Sequence, residues 1–419
     1  MSLVVGGMVG SGVFTLPSAL ASYGGVSMIA WVISAAGSVL LALVFAHLAR
    51  RNPAAGGLYA YTRDSFGDLA GFLVAWGYWI SIWSADAALA VSFVGYLGAF
   101  IPSIVGSPLK GALLAMATVW LLTAVNSRGV AVAGRVQVVT TTLKLLPLVI
   151  VGVGGLMLFE PAHFAIPVPP PGSSSGGLLL AAVTLTLFAF VGLESATIPA
   201  AAMKDPGRTI PRATLVGTLV TAAIYVVSTA GAMSLVPPAT LAQSTAPFAD
   251  AARVFGGDTL ATVVAIGAAI SSFGSLNGWI MIVSQLPMAV AKDGLFPRPF
   301  ARVSARGVPV TGMVIAGVFS TGLIALNAWN SSSLVELFKT LILISTLSTL
   351  VPYVFCSLAV FLPGGRRATN LSVGMAMVAA LAFVYSMFAI GGAGASVVWM
   401  GFLLILAGLP VYVWVKSRT

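Results

Sequence analysis

Apolar residues in this chain fall into long runs separated by short polar breaks, and the runs recur from one end to the other. A helix that crosses a bilayer needs roughly 20 consecutive, mostly apolar residues. Runs of that length, bounded by Gly, Pro and charged positions, predict twelve spanning helices. Their approximate limits are 2–21, 26–49, 69–101, 108–126, 134–158, 177–201, 212–236, 258–290, 309–328, 334–362, 370–391 and 396–415. No long polar stretch separates them, so residues 1–419 read as one all-α integral membrane domain with no soluble module.

Composition supports the same class. Of 419 residues, 59% are hydrophobic and 7% are charged; a soluble domain carries about 25% charged residues. So few charges cannot cover a water-facing surface of this size, and lipid is the natural outer solvent. The net charge of +10 would point to nucleic acid in a soluble protein. Here the basic residues sit in short loops with no aromatic-interleaved basic face, so no nucleic-acid partner is expected. Arg50, Arg51 and Arg63 lie between the second and third runs, Arg128 between the fourth and fifth, and Lys204 and Arg208 between the sixth and seventh. Lys292, Arg298, Arg302 and Arg306 follow the eighth run, Arg366 and Arg367 the tenth, and Lys416 and Arg418 end the chain. In a twelve-span arrangement all of these fall on one side, and the other side holds little beyond Lys110 and Arg253. Basic loops stay in the cytoplasm, so both termini are expected there. An odd number of spans would break the alternation.

Cys356 is the single cysteine, which excludes internal disulfides and Cys-based zinc or iron–sulfur clusters. His47 and His163 are too few for a His-based metal site, so neither a metal nor a cofactor is expected. Met1 runs straight into an apolar segment without a basic n-region, so no cleavable signal peptide is expected.

Glycine patterning changes the picture at two places. The first run contains Gly10-Ser11-Gly12 and the sixth contains Phe190-Val191-Gly192-Leu193-Glu194-Ser195. Glycines in a spanning segment mark either close helix packing or a break where the backbone unwinds around a ligand. A break frees N–H groups at one half-helix end, which favour a carboxylate, and carbonyls at the other, which favour an ammonium. Unwound backbone cannot face lipid, so it must line a protein cavity. Runs one and six are corresponding positions in two five-span halves, the placement expected of an inverted-repeat transporter. A charge at the bilayer centre costs at least about 2.5–3.5 kcal/mol. Of the ionisable residues inside runs, three stand out: Asp86, Lys144 and Glu194. Each reads as a functional group or as half of a structural ion pair. Asp86 neutralising Lys144 is one such pairing. Glu336 and Lys339, three apart near the start of the tenth run, read as an interfacial pair on one helix face.

Beyond these patterns, the sequence resembles the amino acid–polyamine–organocation (APC) superfamily, and within it the basic amino acid/polyamine antiporters, such as the arginine/agmatine and putrescine/ornithine exchangers. The matching strings are Gly10-Ser-Gly-Val-Phe-Thr-Leu-Pro17, Ala55-Gly-Gly-Leu-Tyr-Ala-Tyr61, Phe190-Val-Gly-Leu-Glu-Ser-Ala196 and Lys204-Asp-Pro-Gly-Arg208. Ser244-Thr-Ala-Pro-Phe248, Gly274-Ser-Leu-Asn-Gly-Trp279, Asp293-Gly-Leu-Phe-Pro297 and Val351-Pro-Tyr353 continue the match in order. The resemblance implies a LeuT-type fold. Two inverted five-helix repeats, about 1–158 and 177–362, would be followed by two additional helices at about 370–415. It implies a secondary transporter in a bacterial inner membrane that works by alternating access. The cargo would be a cationic amino acid or amine, taken by exchange or by proton-coupled uptake; a neutral amino acid carrier of the same fold is the alternative. A homodimer is also implied.

The same resemblance assigns residues. Val9, Gly10, Ser11 and Gly12 would hold the substrate carboxylate. The break from Phe188 through Val191 to Gly192 would hold the α-ammonium. Phe188 stands where the arginine exchangers have a tryptophan that stacks on the substrate, and an aromatic ring there still permits cation–π contact. Trp279 matches a second gating tryptophan, and Tyr78 and Tyr353 complete the gating set. Asp86 falls where those exchangers have an asparagine lining the side-chain pocket, so it is expected to pair with a cationic substrate tail. Glu194 is the motif glutamate implicated in proton coupling or pH sensing. Lys144 departs from the arginine and polyamine exchangers. Other branches have a lysine in this Lys-Leu-x-Pro context, where its ammonium stands in for a sodium ion or carries the coupling proton. Residues 55–61 would form a re-entrant or interfacial loop, and 204–208 a cytoplasmic turn. Only nine residues precede Gly10, about 13 Å of helix and barely half a bilayer, so either the start is truncated or the inner gate is short.

Rival classes lack their signatures. No paired His, HExxH, GxSxG or carboxylate dyad points to an enzyme, and no Walker-type loop points to a nucleotide-driven pump. An amine-permeable channel remains as a rival that would show no counterflow.

Overall fold

A computed structural model describes residues 2–52, 56–169, 174–197, 205–330, 333–362 and 371–418, with the backbone alone for 2, 3, 11, 130–143, 196 and 206. Lys204, Arg366 and Arg367 of the basic loops, and Ala55 of the second motif, lie outside the described residues. Among the described residues the chain is helical and has no strand. The first half holds α1 (Ser2–Met8), α2 (Ser11–Leu20), α3 (Val26–Arg51), α4 (Leu58–Phe66), α5 (Asp68–Leu97), α6 (Pro102–Val105), α7 (Pro108–Ser127) and α8 (Val130–Met157). The second holds α9 (Ser175–Leu187), α10 (Pro206–Leu235), α11 (Pro238–Leu241), α12 (Pro247–Lys292), α13 (Val310–Ala328) and α14 (Leu334–Ala359). Three more close the chain: α15 (Val373–Gly392), α16 (Ala395–Leu406) and α17 (Gly408–Lys416).

Local signals set many of these ends. Proline opens α6, α7, α10, α11 and α12, where its missing N–H costs nothing. Ser174, Ser333 and Ser372 cap α9, α14 and α15 by accepting from backbone N–H groups two or three residues into each helix.

Nine helical stretches among the described residues are long and apolar enough to cross a membrane: α3, α5, α7, α10, α12, α13, α14, α15 and α16 with α17. Leu381, Val384, Met387, Phe388, Trp399 and Phe402 stand exposed on α15 and α16. Apolar patches on this scale are not tolerated in water, and the chain is a multi-pass membrane protein. The twelve predicted runs and the observed helices differ for identifiable reasons. Runs one and six are interrupted, so neither contains one long helix. The fifth is α8, whose described side chains begin at Lys144. The eighth run lies inside α12, which bends at Gly257, where φ is 64°.

Residues 55–61 are expected as a re-entrant or interfacial loop; from Leu58 onward the chain instead forms the helix α4 (Leu58–Phe66). Leu58, Tyr61 and Thr62, spaced for one helix face, are buried. This helix seats a charge network at one end of the bundle. The Tyr59 hydroxyl donates to Asp293 Oδ2 at 2.8 Å, and Arg63 pairs with the same oxygen at 2.8 Å. Arg63 also reaches Asp68 at 2.8 Å, and Lys416 pairs with Asp68 at 2.7 Å. Burial, then the bond to Asp293, holds the Tyr59 phenol well above its ordinary range, so it stays a donor. Exposed ion pairs contribute about 0.2–1 kcal/mol each. Their structural effect is to tie α4, the start of α5, the residue after α12 and the end of α17 together.

Candidate functional site

The site is assembled where two helices stop in mid-course. The chain leaves α1 at Met8, turns through Val9 and Gly10, and restarts as α2 at Ser11. Gly10 is extended, with φ −123° and ψ −156°, and offers no side-chain cap. The first N–H groups of α2 therefore have no intrahelical partner. The second interruption follows α9. Phe188–Phe190 tighten into a 3-10 turn, 191–194 turn without helix, and Ser195–Thr197 form another 3-10 turn.

The two interruptions touch. A Cβ on Gly12 would stand 3.1 Å from the Phe188 ring, and one on Gly192 would stand 3.0 Å from the Gly7 carbonyl carbon and from the Trp279 ring. Gly192 has φ 109°, a conformation that L side chains rarely adopt. Glycine is needed there both for the backbone angle and for the close approach.

A cavity of about 20 Å³ lies at this junction. Gly7, Met8, Gly10 and Gly12 line it from the first break and Phe188 and Val191 from the second. Ala85 and Leu89 of α5 and Trp279 of α12 close it. That volume admits about one water, so a lysine-sized molecule enters only when side chains move. The amino end of α2, a partial positive pole, and the carboxyl end of α9, a partial negative pole, both meet the cavity. An amino acid zwitterion carries the complementary pair of charges.

The carbonyls that end α1 are taken by side chains from distant helices. Lys144 Nζ donates to the Gly6 carbonyl at 3.3 Å and to Ser275 Oγ at 2.7 Å. Ser275 Oγ donates to the Val9 carbonyl at 3.2 Å, and Trp279 Nε1 donates to the Gly7 carbonyl at 3.2 Å. Lys144 is fully buried, and its ammonium sits at the negative end of a half-helix.

Glu194 organises the second break. Its two carboxylate oxygens accept from the Tyr78 hydroxyl at 2.5 Å and the Tyr353 hydroxyl at 2.6 Å. The Gly192 N–H donates to both oxygens at 3.2 Å. Three elements, α5, α14 and the unwound segment, converge on this one side chain, and all of it is buried.

Asp86 is also buried, with 1% exposure, and its Oδ1 has no hydrogen-bond partner. It lies one residue from Ala85 of the cavity wall without itself lining it. No ion pair joins Asp86 to Lys144, so the structural neutralisation considered for them is not the arrangement adopted. Lys339 Nζ lies 5.4 Å from the centre of the Tyr23 ring.

Gly10, Gly12, Phe188, Val191 and Trp279 thus share one wall, and Tyr78, Glu194 and Tyr353 share one cluster. Val9 contributes its carbonyl to the Lys144–Ser275 group. Ser11 opens α2, and its side chain lies outside the described atoms. Ser275, Gly7, Met8, Ala85 and Leu89 were not anticipated. Ser275 stands inside the Gly274–Trp279 string, and that string was the available signal for it. Among the described residues no group of three His, Cys, Asp or Glu side chains comes together to hold a metal.

Comparisons with known proteins identify the family. A family model described as amino acid permease matches residues 1–400. A cadaverine/lysine antiporter of Escherichia coli (strain K12) is 34% identical over 84% of this chain and 80% of its own length. The putrescine transporter PotE of Haemophilus influenzae is 32% identical over 98% of this chain and 94% of its own length. The E. coli PotE is 31% identical over 98% and 93%. A match over nearly the whole length, with the motif glycines at two facing helix breaks, places the chain in the amino acid permease family of the APC superfamily.

Proposed function

We propose that this protein exchanges cationic amino acids for each other or for their decarboxylated amines, across a bacterial inner membrane, by alternating access. The observation that carries the reading is the meeting of the two helix breaks at one cavity, with the N–H end of α2 and the carbonyl end of α9 both turned to it. The relatives' names, cadaverine/lysine antiporter and putrescine transporter, set the substrate class. In this reading the nine long helices, together with α1–α2, α8 and α9 with its continuation, would make up the twelve spans of a LeuT-type 5+5 arrangement with two further helices. Under the positive-inside rule the end bearing Arg63, Lys292 and Lys416 faces the cytoplasm, with both termini.

In this reading the N–H groups at Gly10–Gly12 take the carboxylate and the carbonyls around Phe188–Val191 take the α-ammonium. Phe188 and Trp279 flank the bound molecule. Asp86 supplies a negative charge beside the cavity for the cationic tail, because a buried, unpartnered carboxylate oxygen is costly unless a cation or proton meets it. Lys144 takes the place of a sodium ion at the end of α1.

Counterflow tests the function. Proteoliposomes loaded with lysine, arginine, ornithine, cadaverine or putrescine should accelerate uptake of labelled lysine, and empty vesicles should not. Equal uptake by loaded and empty vesicles would indicate a channel. Acceleration by leucine but by none of the cations would assign a neutral carrier. Asp86→Asn should cut the apparent affinity for lysine by roughly tenfold or more, about 1.4 kcal/mol or above for a lost buried charge pair. Leucine, if bound at all, should be unaffected. Equal weakening of cationic and neutral substrates would remove Asp86 from the tail pocket.

A further inference from the structure

A second, smaller cavity lies beyond the first, and one unassigned aromatic ring stands between them. It measures about 10 Å³ and is lined by Thr15 of α2, Ser92 and Gly95 of α5, Thr245, and Leu334 and Phe338 of α14. Phe338 is fully buried on the second turn of α14. Its ring meets Phe188 edge to face, with centroids 6.3 Å apart and planes at 86°. Phe188 lines the cavity at the helix breaks and Phe338 lines the outer one, so the ring pair is the partition. Gly12 backs Phe188 on the other side, where a Cβ would come within 3.1 Å. Phe188 is therefore held between Gly12 and Phe338. In the outer cavity the hydroxyls of Thr15 and Ser92 hydrogen-bond to each other at 2.6 Å.

The outer cavity sits toward the far end of α5. Gly95 is roughly 40 Å along that helix from Asp68, which belongs to the charge network at the opposite end. From the substrate cavity, the direction through Phe338 leads away from the basic, cytoplasmic end. We propose that Phe338 is the second leaf of a two-ring door, with Phe188, that closes the substrate cavity toward the extracytoplasmic face. The Thr15–Ser92 pocket is the vestibule through which substrate reaches it. This rests on the carrier reading given above.

The energetics suit a door. Neither cavity admits an amino acid while the rings touch. An edge-to-face pair is worth roughly a 2- to 10-fold bias in an equilibrium constant, which a bound cation can overcome. The Thr15 and Ser92 hydroxyls, freed from each other, can accept from a passing ammonium.

The test is sided. Intact cells carrying Ser92→Cys are treated from outside with a membrane-impermeant maleimide, with wild type, whose Cys356 is buried, as background. Adding Phe338→Ala should raise the labelling rate by roughly tenfold, and Phe338→Leu by less. In transport, Phe338→Leu should raise KM measured from the outer face while leaving KM from the cytoplasmic face near wild type, and Phe338→Tyr should restore both. Unchanged labelling in Phe338→Ala, or a KM shift of equal size on both faces in Phe338→Leu, would reduce Phe338 to ordinary packing. Wild-type counterflow is run beside each variant. Its absence would overturn the carrier reading, whereas normal counterflow with unchanged labelling would overturn the door alone.

Discussion

Glu194→Ala should fail to give a stable transporter. The substitution strands three buried donors at once: the hydroxyls of Tyr78 and Tyr353 and the N–H of Gly192. Each orphaned buried donor costs about 1–3 kcal/mol, so the expected loss is at least about 3 kcal/mol. The loss falls on the one side chain that joins α5, α14 and the second break. Glu194→Gln is the informative companion. It keeps a carbonyl acceptor and nearly the same volume, so it should fold with a smaller loss, about 1–2 kcal/mol. It cannot change charge, so its transport should no longer follow the pH profile of wild type. Thermal denaturation in detergent reads the first effect, and uptake against pH reads the second. Wild-type stability in Glu194→Ala, or a wild-type pH profile in Glu194→Gln, would contradict the role given to this carboxylate.

Lys144→Met should abolish transport while leaving the protein folded. Methionine replaces most of the aliphatic stem, so packing changes little. What disappears is the ammonium that donates to the Gly6 carbonyl and to Ser275 Oγ, and with it the link from α8 through α12 to the end of α1. Loosening the first half-helix would misplace the N–H groups proposed to hold the carboxylate, and a displacement on the scale of 1 Å costs about 100-fold in comparable pre-organised sites. Initial rates of lysine counterflow should fall by about that factor. Wild-type rates should be the same in sodium and in potassium buffers, because a fixed cation already stands at the end of α1. An active Lys144→Met, or stimulation of wild type by sodium, would remove the lysine from that role.

Both residues illustrate what could be read before the fold was known. Charge inside an apolar run is visible in one dimension, and it singled out Asp86, Lys144 and Glu194 for a reason of cost alone. Glycines within runs one and six, Gly10 with Gly12 and Gly192, marked where the helices stop, because unwinding requires residues that tolerate unusual backbone angles and close approach. Partners were not legible in the same way. Lys144 finds Ser275 131 positions away, and Tyr353 finds Glu194 159 positions away. Nothing local in either string specifies that meeting. Phe338 was invisible for the same reason: an aromatic at the start of a span is ordinary until a cavity appears on each side of the ring pair it forms with Phe188. The helix begun at Leu58 was missed differently. The family resemblance implied a loop over 55–61, while the buried spacing of Leu58, Tyr61 and Thr62 is that of a short helix. Apolar periodicity over nine residues is too brief to outweigh two preceding glycines.

The division of labour across the site also follows from chemistry. In the proposed reading, main-chain groups at the breaks take the carboxylate and ammonium that every amino acid shares. In that reading Asp86 of α5 and Trp279 of α12 are the side chains assigned to the rest of the substrate. A carrier built this way can change cargo by substitutions on two helices while its carboxylate and ammonium grips stay fixed.

The most direct measurement is a cryo-EM structure of the transporter saturated with lysine. The bound molecule should lie between the two breaks, its carboxylate about 2.7–3.2 Å from N–H groups of Gly10–Gly12. Its α-ammonium should face the carbonyls of Phe188–Val191, and its tail should point toward Asp86. Lysine density elsewhere, with α1 running unbroken into α2, would contradict the account.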